Sequence, residues 1–182
     1  MTKVLTDGTT KRGTMADVLL VVDVQQGLVE ALPPERRTSF VDTLKNLIAR
    51  ARSRGTQLVY VRHGDEGLQE QTPAWHIADA IAPRDGEPIV DKHKSDAFEE
   101  TDLADVLAAR DLDHLIVCGM QSDFCVNATA RGGVRRDYRV TVISDAHATY
   151  AGEGRSETEI CNDVNRDLQA EGIGLVCAAH VF

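Results

Sequence analysis

The sequence has few aromatic residues, a deficit of positive charge and no long apolar run. Phe, Trp and Tyr make up only 4% of the 182 residues, which argues against the aromatic platforms that bind single-stranded nucleic acids. Lys and Arg number 20 against 29 Asp and Glu, so the net charge of −9 also disfavours a nucleic-acid partner.

Membrane and secretory signals are absent as well. No apolar stretch approaches the roughly 18 residues that a membrane-spanning helix needs. The N-terminal sequence MTKVLTDGTTKRGT lacks the apolar core of a secretory signal. These absences predict a cytoplasmic protein without a membrane partner.

The four cysteines form neither a disulfide framework nor a zinc pattern. None belongs to a CxxC pair, and no histidine spacing is typical of zinc. Cys118 and Cys177 lie in apolar runs, where a free cysteine behaves as a small hydrophobe. Cys161 lies in a polar helical pattern. Only Cys125 has a context that needs another explanation.

Short apolar segments alternate with helical patterns along the chain. Six segments have the apolar, β-branched composition of strands buried on both faces of a parallel sheet: 17–23, 56–62, 88–92, 114–119, 138–144 and 173–178. Periodicity and end signals predict helices over 38–54, 102–110 and 155–171, and one beginning near Asp123. The alternation predicts an α/β fold: a single-domain, doubly wound, mostly parallel six-stranded sheet with helices on both faces.

Two segments fall outside this alternation. Residues 1–14 have no periodicity, so we expect them to form a flexible N-terminal tail. One domain over 15–182 is expected to follow it. The stretch from His63 to Pro88 has no clear strand and contains the only tryptophan, Trp75. It is predicted to form a lid or a pocket wall.

Three polar residues lie near the ends of predicted strands, where ligands bind in open α/β sheets. Asp23 ends the first strand, Lys92 follows PIV, and Cys125 follows HLIVCG after a short loop, in the first turn of the next helix. The Lys ammonium and the helix N-terminus would favour a thiolate, and the Asp can take and return a proton. Lys94, two residues on, is an alternative to Lys92 because it points to the same side of an extended segment.

Four segments, in order, carry a resemblance to a known family. They are VVDVQQGL (21–28), VDKHKSDAFEETDL (90–103), IVCGMQSDFCVNATARGG (116–133) and VTVISDAHATY (140–150). The ordered set resembles the isochorismatase-like cysteine hydrolases, which include nicotinamidases and N-carbamoylsarcosine amidase. The six-residue spacing from Lys92 to Phe98 fits the family's lysine segment and favours Lys92 over Lys94.

The resemblance implies a role for each polar residue. Cys125 is the implied nucleophile, Asp23 the general acid and base, and Lys92 their positive partner. It also implies a cis peptide bond between Met120 and Gln121, with an oxyanion hole formed by the backbone N–H groups of Gln121 and Cys125. The implied reaction is attack on a small amide, loss of ammonia or an amine, and hydrolysis of the thioester.

The chain also departs from the nicotinamidase pattern. VRHGDEGLQEQ (61–71) lacks the metal-binding Asp-x-His of those enzymes, so we expect no metal, no cofactor and a small-molecule substrate other than nicotinamide. We expect four side chains to line the substrate pocket: Leu28, His63, Trp75 and Phe98.

The resemblance further implies a homo-oligomer, a dimer or a tetramer. Two other functions stay open at this point. One is vinyl-ether hydrolysis of an isochorismate-like acid, and the other is ligand binding without catalysis.

Overall fold

A computed structural model describes residues 16–182 and has one sheet of six strands. Its strands are β1 (Ala16–Val22), β2 (Gln57–His63), β3 (Ile89–Lys92), β4 (Leu112–Met120), β5 (Arg139–Ala148) and β6 (Gly174–Val176). They lie in the order β3-β2-β1-β4-β5-β6, and every neighbouring pair is parallel. The predicted doubly wound parallel sheet is confirmed. The predicted tail over 1–14 lies outside the described residues.

Five α-helices connect the strands, and short helical turns fill the loops. The helices are α1 (Gln26–Glu30), α2 (Pro34–Ser53), α3 (Leu103–Ala108), α4 (Asn127–Val134) and α5 (Glu157–Ala170). A π-helical turn, Ser122–Val126, precedes α4, and single 3-10 turns lie at Pro73–Trp75, Asp79–Ile81 and Ala178–His180. Helix α1 and the 3-10 turns were not predicted, because elements of three to five residues are too short to show a period. No helix between residues 16 and 182 is both long and apolar enough to cross a bilayer.

Both faces of the sheet are covered, which explains the nearly continuous apolar strands. On β1, Leu19 and Val21 belong to the core beneath α2. The alternate residues Leu20 and Val22 belong to a second core that includes side chains of α3, α4 and α5. Neighbouring residues of one strand therefore pack against opposite layers of helices.

The carboxyl ends of β1 and β4 approach each other very closely. A Cβ atom on Gly119 would lie 1.9 Å from the carbonyl oxygen of Val22, and the φ angle of Gly119 is 128°. Only glycine fits this position without displacing a strand. Asp23, directly after β1, also has a positive φ of 50°, a conformation that aspartate tolerates better than most residues. The strand order reverses between β1 and β4, so this contact lies at the place where such sheets bind ligands.

Candidate active site

The carboxyl ends of three strands bring together Asp23, which directly follows β1, Lys92, the last residue of β3, and Cys125, in the π-helical turn after β4. Lys92 Nζ lies 2.7 Å from Asp23 Oδ2 and 3.2 Å from Cys125 Sγ. The Asp23 and Lys92 side chains are 1% and 0% exposed, respectively, and the Cys125 residue is partly buried. An acid, a cation and a thiol thus meet at the switch point of the sheet, as the sequence predicted.

The ammonium of Lys92 is the centre of this cluster. It also lies 3.2 Å from His63 Nδ1 and donates to the backbone oxygen of Lys94 at 3.0 Å. The Lys94 side chain is exposed, so the structure decides between the two lysines in favour of Lys92. Asp23, His63 and Cys125 have ligand atoms within 4.8 Å of one another, and the cation at hydrogen-bonding distance from all three is the Lys92 ammonium.

The Asp23 carboxyl group is short of hydrogen-bond donors. Its Oδ2 pairs with the Lys92 ammonium at 2.7 Å, whereas Oδ1 has no hydrogen-bond partner among the described residues. Burial raises the pKa of Asp23, and the positive charge of Lys92 opposes that rise. Asp23 is therefore a better proton acceptor than an ordinary aspartate.

The Cys125 side chain is a thiol in this structure, which corrects the expected thiolate. Burial, followed by the negative charge of Asp23, raises the pKa of Cys125 to about 12, and Lys92 only partly offsets that rise. The sequence argument counted Lys92 and the helix N-terminus but missed the desolvation. A nucleophilic Cys125 would need a base, and Asp23 is the carboxylate beside it.

A buried hydrogen-bond chain holds the loop that carries Cys125. Asn165 Nδ2 donates to the Ser144 carbonyl, which turns Asn165 Oδ1 toward His147 Nε2 at 3.0 Å. His147 Nδ1 then accepts from the hydroxyl of Ser122 at 2.8 Å. Burial lowers the pKa of His147 and keeps its ring neutral. This series of hydrogen bonds ties the π-helical turn to β5 and α5.

An open cavity of about 530 Å³ lies above this cluster. Asp23, Cys125 and Gln121 line it, together with Gly27, Leu28, Ala31, His63, Asp65, Gly67, Leu68, Ala74, Ser95, Phe124 and Tyr150. The bond between Met120 and Gln121 is cis, at the position that the resemblance implies. Leu28 and His63 lie where the sequence predicted, and part of the 63–88 segment forms a cavity wall.

Trp75 and Phe98 do not line this cavity, which corrects two of the four expected pocket residues. Trp75 is buried beneath the Arg62 guanidinium, whose carbon lies 3.4 Å from the ring centroid. Phe98 is buried and stacks on Tyr138, with ring centroids 5.5 Å apart. Both rings are part of the buried core, and sequence spacing does not show which way a side chain points from a loop.

The comparisons with known proteins agree with this geometry. Residues 17–165 match the model of the isochorismatase domain. The chain belongs to the isochorismatase family.

Two named proteins and one further structure illustrate the relationship. Streptothricin hydrolase of Streptomyces noursei is 38% identical over 149 residues, which cover 77% of this chain but only 58% of that protein. A cysteine hydrolase structure from Pseudomonas syringae pv. phaseolicola has a TM-score of 0.80 at 28% identity, over 90% of this chain and 89% of that one. The N-carbamoylsarcosine amidase of Thermoplasma acidophilum shares the fold, with a TM-score of 0.77 at 23% identity, over 92% of this chain and 99% of that one.

Several residues at the site of this isochorismatase-family protein were missed from the sequence. Asp65 accepts from His63 Nε2 at 3.2 Å, so that His63 Nδ1 is free to accept from Lys92. Phe124, which is 57% exposed, and Tyr150 line the cavity. The position of Phe124 beside Cys125 was a usable signal. Tyr150 and His147 depend on the path of β5, which periodicity does not give.

Proposed function

We propose that this protein is a cysteine hydrolase that cleaves the carbon–nitrogen bond of a small amide through a thioester on Cys125. The observation that carries the proposal is the position of the Lys92 ammonium, 2.7 Å from Asp23 Oδ2 and 3.2 Å from Cys125 Sγ, at the floor of an open cavity. A buried acid, cation and thiol so arranged have the parts that nucleophilic catalysis needs.

In the first half of the reaction, the Cys125 thiol gives its proton to the Asp23 carboxylate while the sulfur attacks the amide carbon. Lys92 lies between the two groups and stabilises negative charge on either of them. The tetrahedral intermediate collapses, and the carbon–nitrogen bond breaks. The leaving nitrogen takes the proton from Asp23, so ammonia or an amine departs and the thioester remains.

In the second half, water attacks the thioester and passes a proton to Asp23. The carbon–sulfur bond then breaks, the sulfur recovers the proton from Asp23, and a carboxylic acid is released. The raised pKa of Asp23 suits both steps, because the group must accept and return a proton within one cycle.

The backbone N–H groups of Gln121 and Cys125 would stabilise the oxyanion in both halves. Both residues line the cavity, and the buried chain from Ser122 to His147 holds the loop between them. One such donor contributes about 2.7–4 kcal/mol to lowering the barrier in acyl-transfer enzymes.

The related proteins support hydrolysis and offer a starting point for substrates. The Pseudomonas structure is named a cysteine hydrolase, and the Streptomyces relative is named for the hydrolysis of streptothricin. Because this chain spans 58% of that relative, streptothricin is only one compound to test, beside a panel of small primary amides.

The test measures ammonia or amine release and looks for the acyl-enzyme. We expect turnover of at least one amide, an acyl adduct on Cys125 in acid-quenched samples by mass spectrometry, and loss of both in Cys125→Ala. Cys177→Ser is the matched control, because Cys177 lies near His180 and away from the cavity. Turnover that survives Cys125→Ala would refute the thioester.

One observation also supports the second candidate, vinyl-ether hydrolysis. A buried Asp23 with a raised pKa can act as the acid that protonates an enol ether, and that chemistry does not need the thiol. Activity on an isochorismate-like acid that survives Cys125→Ala and is lost in Asp23→Asn would favour this candidate. Ligand binding with no turnover of either class would favour the third, a non-catalytic protein.

We also propose a cytoplasmic homo-oligomer, a dimer or a tetramer, that needs no metal or cofactor. Light scattering coupled to size-exclusion chromatography would give the oligomeric state. Turnover that is unchanged by a chelator would support metal independence.

A further inference from the structure

The charged groups around the active-site cavity are unbalanced. The cavity is lined by two carboxylates, Asp23 and Asp65, and by no Arg or Lys among residues 16–182. The ammonium of Lys92 lies beneath the cavity and is already matched by Asp23 at 2.7 Å. The charge left facing a bound molecule is therefore that of Asp65.

The guanidinium groups of Arg62 and Arg36 have other partners. Arg62 stacks on Trp75 and donates two hydrogen bonds to Asp91, at 2.7 and 2.9 Å. Arg36 donates to Glu157 at 2.6 Å and to the carbonyl of His147 at 3.0 Å. Neither guanidinium lines the cavity, so neither is placed to bind the carboxylate of a substrate.

The Asp65 carboxylate is held in its ionised form. Burial tends to raise the pKa of Asp65, but hydrogen bonds from the Leu68 and Gly67 amides and from His63 outweigh it and lower the pKa. Both amides donate to Oδ1 at 2.8 Å. The side chain is half-exposed at the cavity wall, so its charge is open to a bound molecule.

A second cavity adjoins the first. The two share Gln121, Phe124 and Tyr150, and the second has a volume of about 540 Å³. Its charged lining residues are Asp123, Glu153, Arg155, Asp163 and Asp167, four acids and one base. Its charge has the same sign as that of the first cavity and of the whole chain, which is −9.

Asp23 supplies an observation that is independent of these surface charges. The residue is 1% exposed, lines the cavity, and has an Oδ1 atom with no hydrogen-bond donor among the described residues. A buried acceptor without a donor is costly unless a bound molecule supplies one. The floor of the cavity thus offers an acceptor to the N–H group of the reacting amide, and Asp65 on its wall offers an unmatched negative charge.

We propose that the substrate is an amide that also carries a positively charged amine, and that the cavity discriminates against amides that carry a carboxylate. This inference rests on the proposed function and specifies its substrate class. Water adds across the carbon–nitrogen bond, the acyl carbon keeps the oxygen, and ammonia leaves, while the distant amine is unchanged. The amine faces Asp65, and the amide carbonyl lies over Cys125.

The test uses three primary amides of nearly equal length: pentanamide, its ω-amino derivative and the monoamide of glutaric acid. They are neutral, cationic and anionic at pH 7. We expect kcat/KM for ammonia release to fall in the order cationic, neutral, anionic. The kcat/KM of the cationic amide should exceed that of the neutral amide about fivefold, which is the factor for one pair of unit charges roughly 4 Å apart in water. Added salt should reduce it.

Two variants locate the effect. Asp65→Asn keeps an acceptor for the Gly67 and Leu68 amides but removes the charge, so the preference for the cationic amide should disappear. Glu66→Gln removes the same charge one residue away, at a side chain that does not line the cavity, and should leave the preference unchanged. Equal or better turnover of the anionic amide would overturn the inference, as would an unchanged preference in Asp65→Asn.

A binding measurement separates this inference from the proposed function. Each amide is added while Cys125 is alkylated, and protection is read by mass spectrometry. Protection in the order cationic, neutral, anionic without ammonia release would support the charge preference and refute amide hydrolysis. Turnover with the opposite order would support hydrolysis and refute the preference. Neither turnover nor protection would refute both.

Discussion

The Lys92 ammonium lies 2.7 Å from Asp23 Oδ2, and the two side chains are 0% and 1% exposed. Each charge is tolerated in the interior only because the other is present. Asp23 also has a positive φ angle, so the acid is held in an uncommon backbone conformation at the end of a buried strand. The pair is therefore a structural element as well as the proposed catalytic one.

Replacing Lys92 should affect stability and activity separately. Lys92→Met leaves Asp23 buried without a cation, and we expect a loss of about 3–5 kcal/mol in the free energy of unfolding, together with loss of turnover. The double variant Lys92→Met/Asp23→Asn should recover part of that stability and none of the activity. Urea denaturation measures the first effect, and ammonia release measures the second. A double variant less stable than Lys92→Met would contradict this account.

The protonation of Cys125 gives a second prediction. Because its pKa is raised to about 12, the rate of iodoacetamide labelling of native Cys125 should keep rising above pH 10. In urea, the labelling rate of the same thiol should level off above its ordinary pKa of about 8.5. Peptide mass spectrometry reports the rate at each pH. Restricted access to Cys125 would lower the maximal labelling rate at high pH but would not move the pH midpoint of the labelling curve.

Asp23→Asn should shift that midpoint downward. The Asp23 charge raises the pKa of Cys125, whereas the Lys92 charge lowers it, so removing the carboxylate leaves the favourable cation unopposed. We therefore expect faster labelling at pH 7 in a variant that has lost amide hydrolysis. An unchanged or higher midpoint would show that Asp23 does not set the protonation of the thiol.

His63 is predicted to be a positioning residue for Lys92. Its Nδ1 lies 3.2 Å from the ammonium, and its Nε2 is held by Asp65. His63→Leu removes the acceptor, and we expect kcat to fall by about 10- to 100-fold, as for the loss of one hydrogen bond to a charged group. His63→Asn places an oxygen near the position of Nδ1 and should restore most of kcat. Equal kcat losses in the two variants would argue for packing alone.

The buried His147 should make stability depend on pH. Burial lowers its pKa, so below about pH 6.5 the unfolded chain binds a proton that the folded chain does not. The contribution of His147 to stability is therefore complete above pH 6.5 and is lost as the pH falls. His147→Asn should reduce the stability difference between pH 7.5 and pH 5 in urea denaturation, whereas the exposed His76→Asn should not. If His147→Asn left the stability difference between pH 7.5 and pH 5 unchanged, this role of His147 would be contradicted.

The predicted fold agrees with the structure because its signals are local. The apolar run from Val18 to Val22 reflects burial on both faces of the sheet. The helical spacing from Phe40 to Ala51 reflects burial of one face of a helix. Those patterns, with the right-handed crossover, leave little choice of topology. Helix α1, by contrast, has only five residues, and its position depends on contacts that no period records.

The sequence by itself determined which residues meet at the site, and the tertiary structure decided their chemical state and surroundings. Asp23 follows β1, Lys92 ends β3 and Cys125 follows β4. The carboxyl ends of these strands share one edge of the sheet, so the proximity of the three residues follows from the order of the motifs. Desolvation of Cys125, the burial of Trp75 and the placement of Asp65 depend on distant segments packing together. A pKa and a cavity wall are properties of that packed environment, and local sequence encodes neither.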